Sequence, residues 1–232
     1  MSTSGNSKRG VLFDVDGTLV DSNYLHAVAW WQAFRRMEHD IPMSAIHRGI
    51  GMGGDKLVEH LLGEDRNKDE DEKLDSTHGA IFSTWWPSLR AFDGAGDLLK
   101  ACADKDLTVV LASSASEAEL KFLRTVIDAD SAIAGATSSS DADASKPAPD
   151  ILEAALESGG LEAENTVFVG DSVWDVKAAG KMSIPTIGLT CGGTSEAELR
   201  EAGAEEVYED PRALIAALDS SLLGRLISGD KS

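Results

Sequence analysis

Short apolar runs that end in polar residues recur along the chain, and they constrain the fold more than any other feature. Three such runs are Gly10–Phe13 before Asp14, Val109–Ala112 before Ser113, and Thr166–Val169 before Gly170-Asp171. Each run is typical of a buried strand, and a segment with helical patterning follows it in the sequence. Strands that alternate with helices are typical of a parallel sheet covered by helices. The sequence therefore predicts an α/β fold.

Two carboxylates, Asp14 and Asp16, stand where the first run meets a loop, in the sequence Asp-Val-Asp-Gly-Thr. Like charges two residues apart at a strand end are costly unless a cation neutralises them, and a hard divalent ion with oxygen ligands is the obvious candidate. An ordinary acidic turn is the alternative, since Asp and Gly are common turn residues. This segment alone does not decide between the two.

Further polar groups with a similar placement lie downstream. Ser113 and Ser114 precede a helix-like segment, where a hydroxyl and backbone N–H groups can bind a phosphate oxygen, although serine at this position is more often an N-cap. Lys146 is flanked by prolines that restrict where its ammonium group points, and an ammonium group suits a phosphate. Asp171 either belongs to the site or caps the following helix, and Asp175 lies one helical turn further on the same face.

All these groups are expected to converge, because ligands of an open parallel sheet bind outside the carboxyl ends of its strands. A phosphomonoester resists attack because nucleophile and ester are both anionic, and a metal ion with a lysine lowers that barrier. Asp14 is then the candidate nucleophile, forming an aspartyl-phosphate, and Asp16 is the candidate general acid and base. We expect Ser113, Ser114 and Lys146 to bind the transferring phosphoryl group.

The motifs, taken in this order, resemble those of the haloacid dehalogenase superfamily, in the phosphatase branch whose helical cap is inserted directly after the first motif. The resemblance covers roughly residues 10 to 210. It implies a Rossmann-like sheet core, the same nucleophilic role for Asp14, and Mg²⁺ as cofactor. The metal would be held by the Asp14 carboxylate, the Asp16 main-chain carbonyl and Asp171, which leaves positions for phosphate and water. Asp175 is expected to position Lys146 or a metal-bound water.

One long interruption of the strand–helix alternation predicts an inserted domain. Between Asp21 and about Leu89 the patterning is helical, with no convincing strand. We predict a helical cap domain over residues 21–89 and a core domain formed by residues 1–20 and 90–232. The acid-rich stretch 64–75, which overlaps the start of a long predicted helix over 67–86, is interpreted as a solvated face and not as a cation site. Outside the cap we expect strands over 107–112, 132–134, 166–169, 184–189 and 206–208, and a single closing helix from Pro211.

Two features of the predicted cap could select the substrate. His26 and Trp30 lie four residues apart on the first cap helix, so they share a face that could look down on Asp14. Equally, Trp30 could be a core residue and His26 a satisfied helix residue. The glycine-rich stretch around Gly51 would let backbone approach a ligand closely. It resembles the loop that phosphoglycolate phosphatases and related sugar-phosphate phosphatases place over the active site, although a helix-to-helix turn would also be glycine-rich.

Two activities compete within the family. β-Phosphoglucomutases share the histidine at the position of His26, but they carry a cap-loop arginine for a second phosphate where this chain has Met52 or Gly53. They also tend to have Glu-Asp where this chain has Gly170-Asp171. We therefore favour Mg²⁺-dependent hydrolysis of a small phosphorylated metabolite, such as a sugar phosphate, a polyol phosphate or phosphoglycolate. A β-phosphoglucomutase-type phosphotransferase is the alternative.

Two other functions fit the residues less well. The 2-haloacid dehalogenases need no metal and have an aromatic residue at the position of Asp16, so both Asp16 and Asp171 would be unexplained in such an enzyme. Non-catalytic phosphoacceptor modules also gather acids, a hydroxyl and a lysine around Mg²⁺. They are about half as long as this chain and lack an inserted helical cap.

Composition limits the partners. The chain has 232 residues, enough for a full α/β core and a small extra domain. A formal charge of −19 disfavours nucleic acid and anionic membranes as partners. Two cysteines without metal-ligand spacing, no apolar signal sequence and no long apolar run are typical of a cytoplasmic protein. We expect a monomer or weak homodimer, with residues 1–9 as a frayed tail.

Overall fold

The computed structural model describes residues 8–142 and 145–229, and most of the predicted tail over residues 1–9 lies outside these ranges. The fold is built on one six-stranded sheet. Its strands are β1 (Gly10–Phe13), β2 (Thr108–Ala112), β3 (Ile133–Thr137), β4 (Thr166–Gly170), β5 (Thr186–Leu189) and β6 (Glu206–Tyr208). They lie in the order β3-β2-β1-β4-β5-β6, and every neighbouring pair is parallel. The predicted α/β fold with a parallel sheet is confirmed.

Helices connect the strands. They are α1 (Asn23–Arg36), α2 (Met43–Gly49), α3 (Gly54–Leu62), α4 (Asp71–Ser83), α5 (Ala95–Asp104), α6 (Glu117–Ile127), α7 (Asp150–Gly159), α8 (Val173–Lys181), α9 (Glu196–Ala202), α10 (Pro211–Ala216) and α11 (Leu222–Ser228). Among the described residues, none of these helices combines the length and the apolar character that a membrane crossing requires.

β1 lies at the centre of the sheet, and its four residues are buried. Alternate side chains point to opposite faces, so Phe13 packs with Leu111 and helices α5 and α10 on one face, while Leu12 packs with Val110 and helices α7 and α8 on the other. Phe13 is in register with Leu111 of β2 and Val169 of β4. The residues that follow β1, β2 and β4 therefore emerge at one edge of the sheet.

Helices α1 to α4 follow β1 and contain no strand among them, as the sequence predicts. They share an apolar cluster that includes Trp30, Phe34, Ile46, Leu57 and Leu74 and that is separate from the clusters on the sheet. Within this unit, α1 packs most extensively against α4. A helical unit with its own core is what a cap domain requires, and the exact domain boundaries stay a prediction.

Two predicted helix boundaries are wrong for local reasons. The single closing helix is split into α10 and α11, because the buried hydroxyl of Ser221 accepts hydrogen bonds from the N–H groups of Leu223 and Gly224 and starts a new helix there. The long acidic helix begins only at Asp71. Before it, Asn67 accepts a hydrogen bond from the Asp69 N–H and caps a short 3₁₀ turn.

Candidate active site

The loop after β1 carries the candidate nucleophile. Asp14 is only 5% exposed, and its N–H donates to the Val169 carbonyl at 2.9 Å, which continues the ladder between β1 and β4. Gly17 then turns the chain at a φ of +77°, where a Cβ would overlap the side chain of Asn23. The turn brings the Thr18 hydroxyl to 3.2 Å from Asp14 Oδ2.

Lys146 lies at the bottom of the site with no exposed surface. Its Nζ is 2.5 Å from Asp14 Oδ1 and 2.8 Å from Asp175 Oδ1. Burial alone would lower the pKa of Lys146, but the two carboxylates outweigh it and raise the pKa, so the ammonium group stays charged. The other Asp175 oxygen accepts hydrogen bonds from the N–H and hydroxyl of Ser172 at the start of α8. Asp175 thus contacts Lys146, as required for one of the two roles that the sequence analysis expects for it.

Three buried carboxyl groups, those of Asp14, Asp171 and Asp175, bring oxygen atoms within 4.8 Å of one another. Burial, together with repulsion between the acids, raises the pKa of Asp14 to about 7 and holds the pKa of Asp171 well above its usual range. Lys146 supplies one positive charge against the three. A set of oxygen donors with an excess of buried negative charge fits a hard divalent cation such as Mg²⁺.

Asp171 is held in place by two neighbours. Asn23, at the start of α1, donates from Nδ2 to Asp171 Oδ2 at 2.7 Å and to the Gly192 carbonyl at 3.0 Å. The Thr18 hydroxyl lies 3.1 Å from Asp171 Oδ1. A Cβ at Gly192 would overlap the Asp171 carboxylate, so the backbone here approaches the acid closely. Sequence reasoning missed Asn23 and Thr18, although Thr18 belongs to the first motif.

The Asp16 side chain makes different contacts from the carboxylates of Asp14, Asp171 and Asp175. The Ser22 hydroxyl donates to Asp16 Oδ1 at 2.6 Å, and His26 Nε2 lies 3.2 Å from the same oxygen. Burial opposes ionisation of Asp16, but the hydrogen bonds from His26 and Ser22 and the His26 charge outweigh it, so its pKa is lowered. His26 therefore contacts Asp16, and not Asp14 as its helix position suggested.

His26 itself sits in a network that the sequence analysis missed. Its Nε2 is 3.4 Å from Glu119 Oε1, and its Nδ1 is 3.1 Å from His78 Nε2. Burial would lower the pKa of His26, but the hydrogen bond and charge of Asp16 and the charge of Glu119 raise it. Burial and the His26 charge keep the pKa of His78 well below its usual range, so His78 is a neutral acceptor stacked on Trp30 at 4.2 Å.

The network around Asp16 borders a cavity of about 340 Å³ between the sheet edge and helices α1, α3 and α4. Asp14, Asp16, His26, Trp30, Gly51 and Ser114 are among its lining residues. The Ser114 hydroxyl is buried and has no hydrogen-bond partner among the described residues. The Ser113 hydroxyl lies just behind it at the end of β2 and accepts a hydrogen bond from the Ala115 N–H at 3.0 Å.

The glycine-rich loop between α2 and α3 forms one wall of this cavity. Gly51 has a φ of +98°, and a Cβ there would overlap the side chain of Ser172 in the core, while a Cβ at Gly53 would overlap Ser145. The loop backbone therefore approaches these core residues closely, and its approach to a ligand stays a prediction. Arg48 lies outside the cavity, with its Nε 3.8 Å from Glu198, and lines a larger cavity of about 570 Å³. We assign the substrate to the smaller cavity because Asp14 and Asp16 line it.

The acid-rich stretch over residues 64–75 is largely solvent-exposed, and its last acid, Asp75, is also exposed. This exposure agrees with the interpretation of the stretch as a solvated face. Asp75 nevertheless lines the cavity, where partial loss of solvent and the nearby charge of Asp55 raise its pKa. That the stretch is not a cation site stays a prediction.

Comparisons with known proteins agree with this geometry. The family model described as haloacid dehalogenase-like hydrolase matches residues 11–189. A phosphoglycolate phosphatase from Shigella boydii is 28% identical, over 90% of this chain and 92% of the relative. A hydrolase from Pseudomonas syringae is 31% identical and superposes with a TM-score of 0.87, covering 92% of this chain and 99% of that one. A putative β-phosphoglucomutase from Bacteroides vulgatus, 20% identical with a TM-score of 0.82, covers 95% of this chain and 90% of its own and shares the fold.

Proposed function

The chain belongs to the haloacid dehalogenase-like hydrolase family, and on that premise we propose that it is a Mg²⁺-dependent phosphatase of a small phosphorylated metabolite. One observation carries the proposal. Asp14 lies in a cavity wall, its Oδ1 is bound by a fully buried lysine, and its carboxylate clusters with Asp171 and Asp175. A carboxylate held between a cation and further acids is suited to attack an anionic ester once the excess charge is neutralised.

The proposed first displacement takes place at Asp14. One of its oxygens attacks the phosphorus atom, the bond from phosphorus to the ester oxygen breaks, and an aspartyl-phosphate forms. His26 transfers its Nε2 proton to Asp16, and Asp16 transfers a proton to the leaving alkoxide. The His26–Asp16 pair therefore loses one proton in this displacement. Lys146 fixes the Asp14 carboxylate and balances the charge that develops on the phosphoryl oxygens.

The second displacement regenerates the enzyme. A water molecule attacks the phosphorus atom, Asp16 accepts its proton, and the bond between phosphorus and the Asp14 oxygen breaks. The Ser114 hydroxyl in the cavity wall has no hydrogen-bond partner among the described residues, so it is suited to bind a phosphoryl oxygen. The Ser113 N–H is less suited, because it already donates to the Thr137 carbonyl. We keep Ser113 as a second phosphate contact through its hydroxyl.

Mg²⁺ would be held by the carboxylates of Asp14 and Asp171 and by the Asp16 main-chain carbonyl, with Asn23 and Thr18 fixing the Asp171 side chain. When bound, the ion supplies positive charge that offsets the repulsion between the nucleophile and the phosphate. Removing a contact that holds a metal ligand in place, such as those of Asn23 and Thr18 with Asp171, typically weakens metal affinity 10- to 100-fold. We propose that Asp175 acts by positioning Lys146 and not as a metal ligand, because its two oxygens already contact Lys146 and Ser172.

A β-phosphoglucomutase-type phosphotransferase is the second candidate, and the contact between His26 and Asp16 favours it, since those enzymes share this histidine. The cavity argues against it. Met52 and Gly53 occupy the loop position of the phosphate-binding arginine, and no arginine or lysine lines the cavity in the described part of the chain. Without a cation to hold a second phosphate, an intermediate bisphosphate would be released and not turned over.

A panel of phosphate esters tests the proposal. We expect phosphate release from at least one small ester in the presence of Mg²⁺, and none after chelation of the metal. Release from no ester, or release that ignores the chelator, would refute it. β-Glucose 1-phosphate with a trace of the 1,6-bisphosphate separates the two candidates, because the appearance of glucose 6-phosphate would favour the mutase.

A further inference from the structure

We propose that the alcohol portion of the substrate carries an ammonium group, so that the preferred substrates are small amino-bearing phosphate esters and not carboxylate-bearing esters such as phosphoglycolate. The inference rests on the proposed function and narrows its substrate class. It comes from the charges of the side chains that form the wall of the cavity.

The charges of this wall are negative. Besides Asp14 and Asp16, three acids line the cavity, and they are Asp55, Asp75 and Glu119. Glu119 faces His26 at 3.4 Å. Among the described residues, no lysine or arginine forms an ion pair with Asp55 or Asp75, and the neighbouring Lys56 pairs with Glu59 at 3.3 Å instead.

The cations near the cavity are already engaged. Lys146 is fully buried between Asp14 and Asp175. His26 lies between Asp16 and Glu119, and the imidazole of His78 is neutral. None of these groups is left to pair with a carboxylate on the leaving alcohol.

Asp55 and Asp75 form a pair at the start of α3. A Cβ built on Gly54 would overlap Asp75 Oδ1, and one built on Gly53 would lie 3.0 Å from Asp55 Oδ1, so both carboxylates lie beside this helix end. The partial charge of a helix N-terminus is about half a unit, which offsets only part of two carboxylates. Repulsion between the two acids remains, and a cation in the cavity would relieve it.

The size of the cavity suits such a ligand. A cavity of about 340 Å³ accommodates a small ester. Trp30 lies in the same wall, 3.3 Å from the Cβ position of Gly54, but its ring is buried and stacked on His78. The wall thus offers two carboxylates to the end of the substrate remote from phosphorus.

Three esters of nearly equal size isolate the charge, namely 2-aminoethyl phosphate, 2-hydroxyethyl phosphate and phosphoglycolate. We expect kcat/KM to fall in that order, with at least a roughly tenfold difference between the cationic and the anionic ester, as expected for one charge beside a partly screened carboxylate. p-Nitrophenyl phosphate serves as a general phosphatase substrate in the same assay. Release from the aryl ester with phosphoglycolate favoured over 2-aminoethyl phosphate would overturn this inference alone. Release from none of the four would overturn the proposed function as well.

Substitutions locate the selectivity. Asp75→Asn and Asp55→Asn should each reduce the preference for 2-aminoethyl phosphate over 2-hydroxyethyl phosphate, expressed as the ratio of the two kcat/KM values, several-fold. Asp69→Asn changes an exposed acid of the same stretch outside the cavity and should leave the preference unchanged. Two independent variants guard against misfolding of either one. An unchanged preference in both cavity variants would contradict the inference.

Discussion

Replacing Lys146 by methionine is the most informative single perturbation of the site. The substitution keeps a long apolar side chain but leaves the carboxylates of Asp14 and Asp175, at 2.5 and 2.8 Å, without their cation. Breaking a fully buried ion pair typically costs about 3–5 kcal/mol in the free energy of unfolding, because the remaining charge stays desolvated. For a chain of this size, that loss corresponds to a fall in Tm of about 6–20 °C.

The matched control is Lys105→Met. Lys105 Nζ lies 2.8 Å from Asp219 Oδ1, a distance equal to that between Lys146 and Asp175, but both partners are exposed. Removing it should change the free energy of unfolding by about 1 kcal/mol or less. Urea denaturation of both variants near pH 7.5, without metal, measures the difference. The buried-pair argument would be refuted if Lys146→Met lost no more stability than Lys105→Met.

Further predictions concern the metal and the acids. Burial raises the pKa of Asp14 from 3.8 to about 7, so its contribution to the free energy of unfolding is present below pH 3.8 and is lost as the pH rises through about 7. We therefore expect Mg²⁺ to raise Tm more at about pH 8 than at about pH 5. An equal rise in Tm at both pH values would contradict this. Asn23→Ala should weaken Mg²⁺ affinity roughly 10-fold or more, measured by calorimetry, because Asp171 loses its 2.7 Å donor; unchanged affinity would remove Asn23 from the site. Gly17→Ala should weaken it as well, since the added Cβ overlaps Asn23, and an affinity equal to that of the parent would show that the turn can relax.

The sequence predicts the sheet-edge part of the site well. Asp14, Lys146 and Asp171 were expected to meet because parallel strands deliver their carboxyl ends to one edge, and the structure places Lys146 Nζ on Asp14 and Asp171 in the same carboxylate cluster. Asp14 and Asp171 directly follow strands, so their meeting depends on sheet topology, whereas Lys146 lies in the loop before α7. Apolar runs and their length encode that topology, so a single sequence suffices to predict it.

The part of the site between the helices could not be predicted in the same way. Glu119 and His78 reach His26 only through the packing of α6 and α4 around α1, and no spacing in the sequence links residues 52 or 93 positions away. Asp75 illustrates the same limit, because only the packing of α4 beside α3 makes its exposed carboxylate part of the cavity wall. The inference about substrate charge depends on these residues and therefore required the structure.

The nucleophilic role of Asp14 is tested most directly by trapping the covalent intermediate. A single turnover with the preferred ester and Mg²⁺, quenched in acid and analysed by peptide mass spectrometry, should show one phosphoryl group on the peptide that contains Asp14. The Asp14→Asn variant should show neither the modified peptide nor turnover. Phosphate release that persists in Asp14→Asn, or a phosphoryl group found on another residue, would contradict the account.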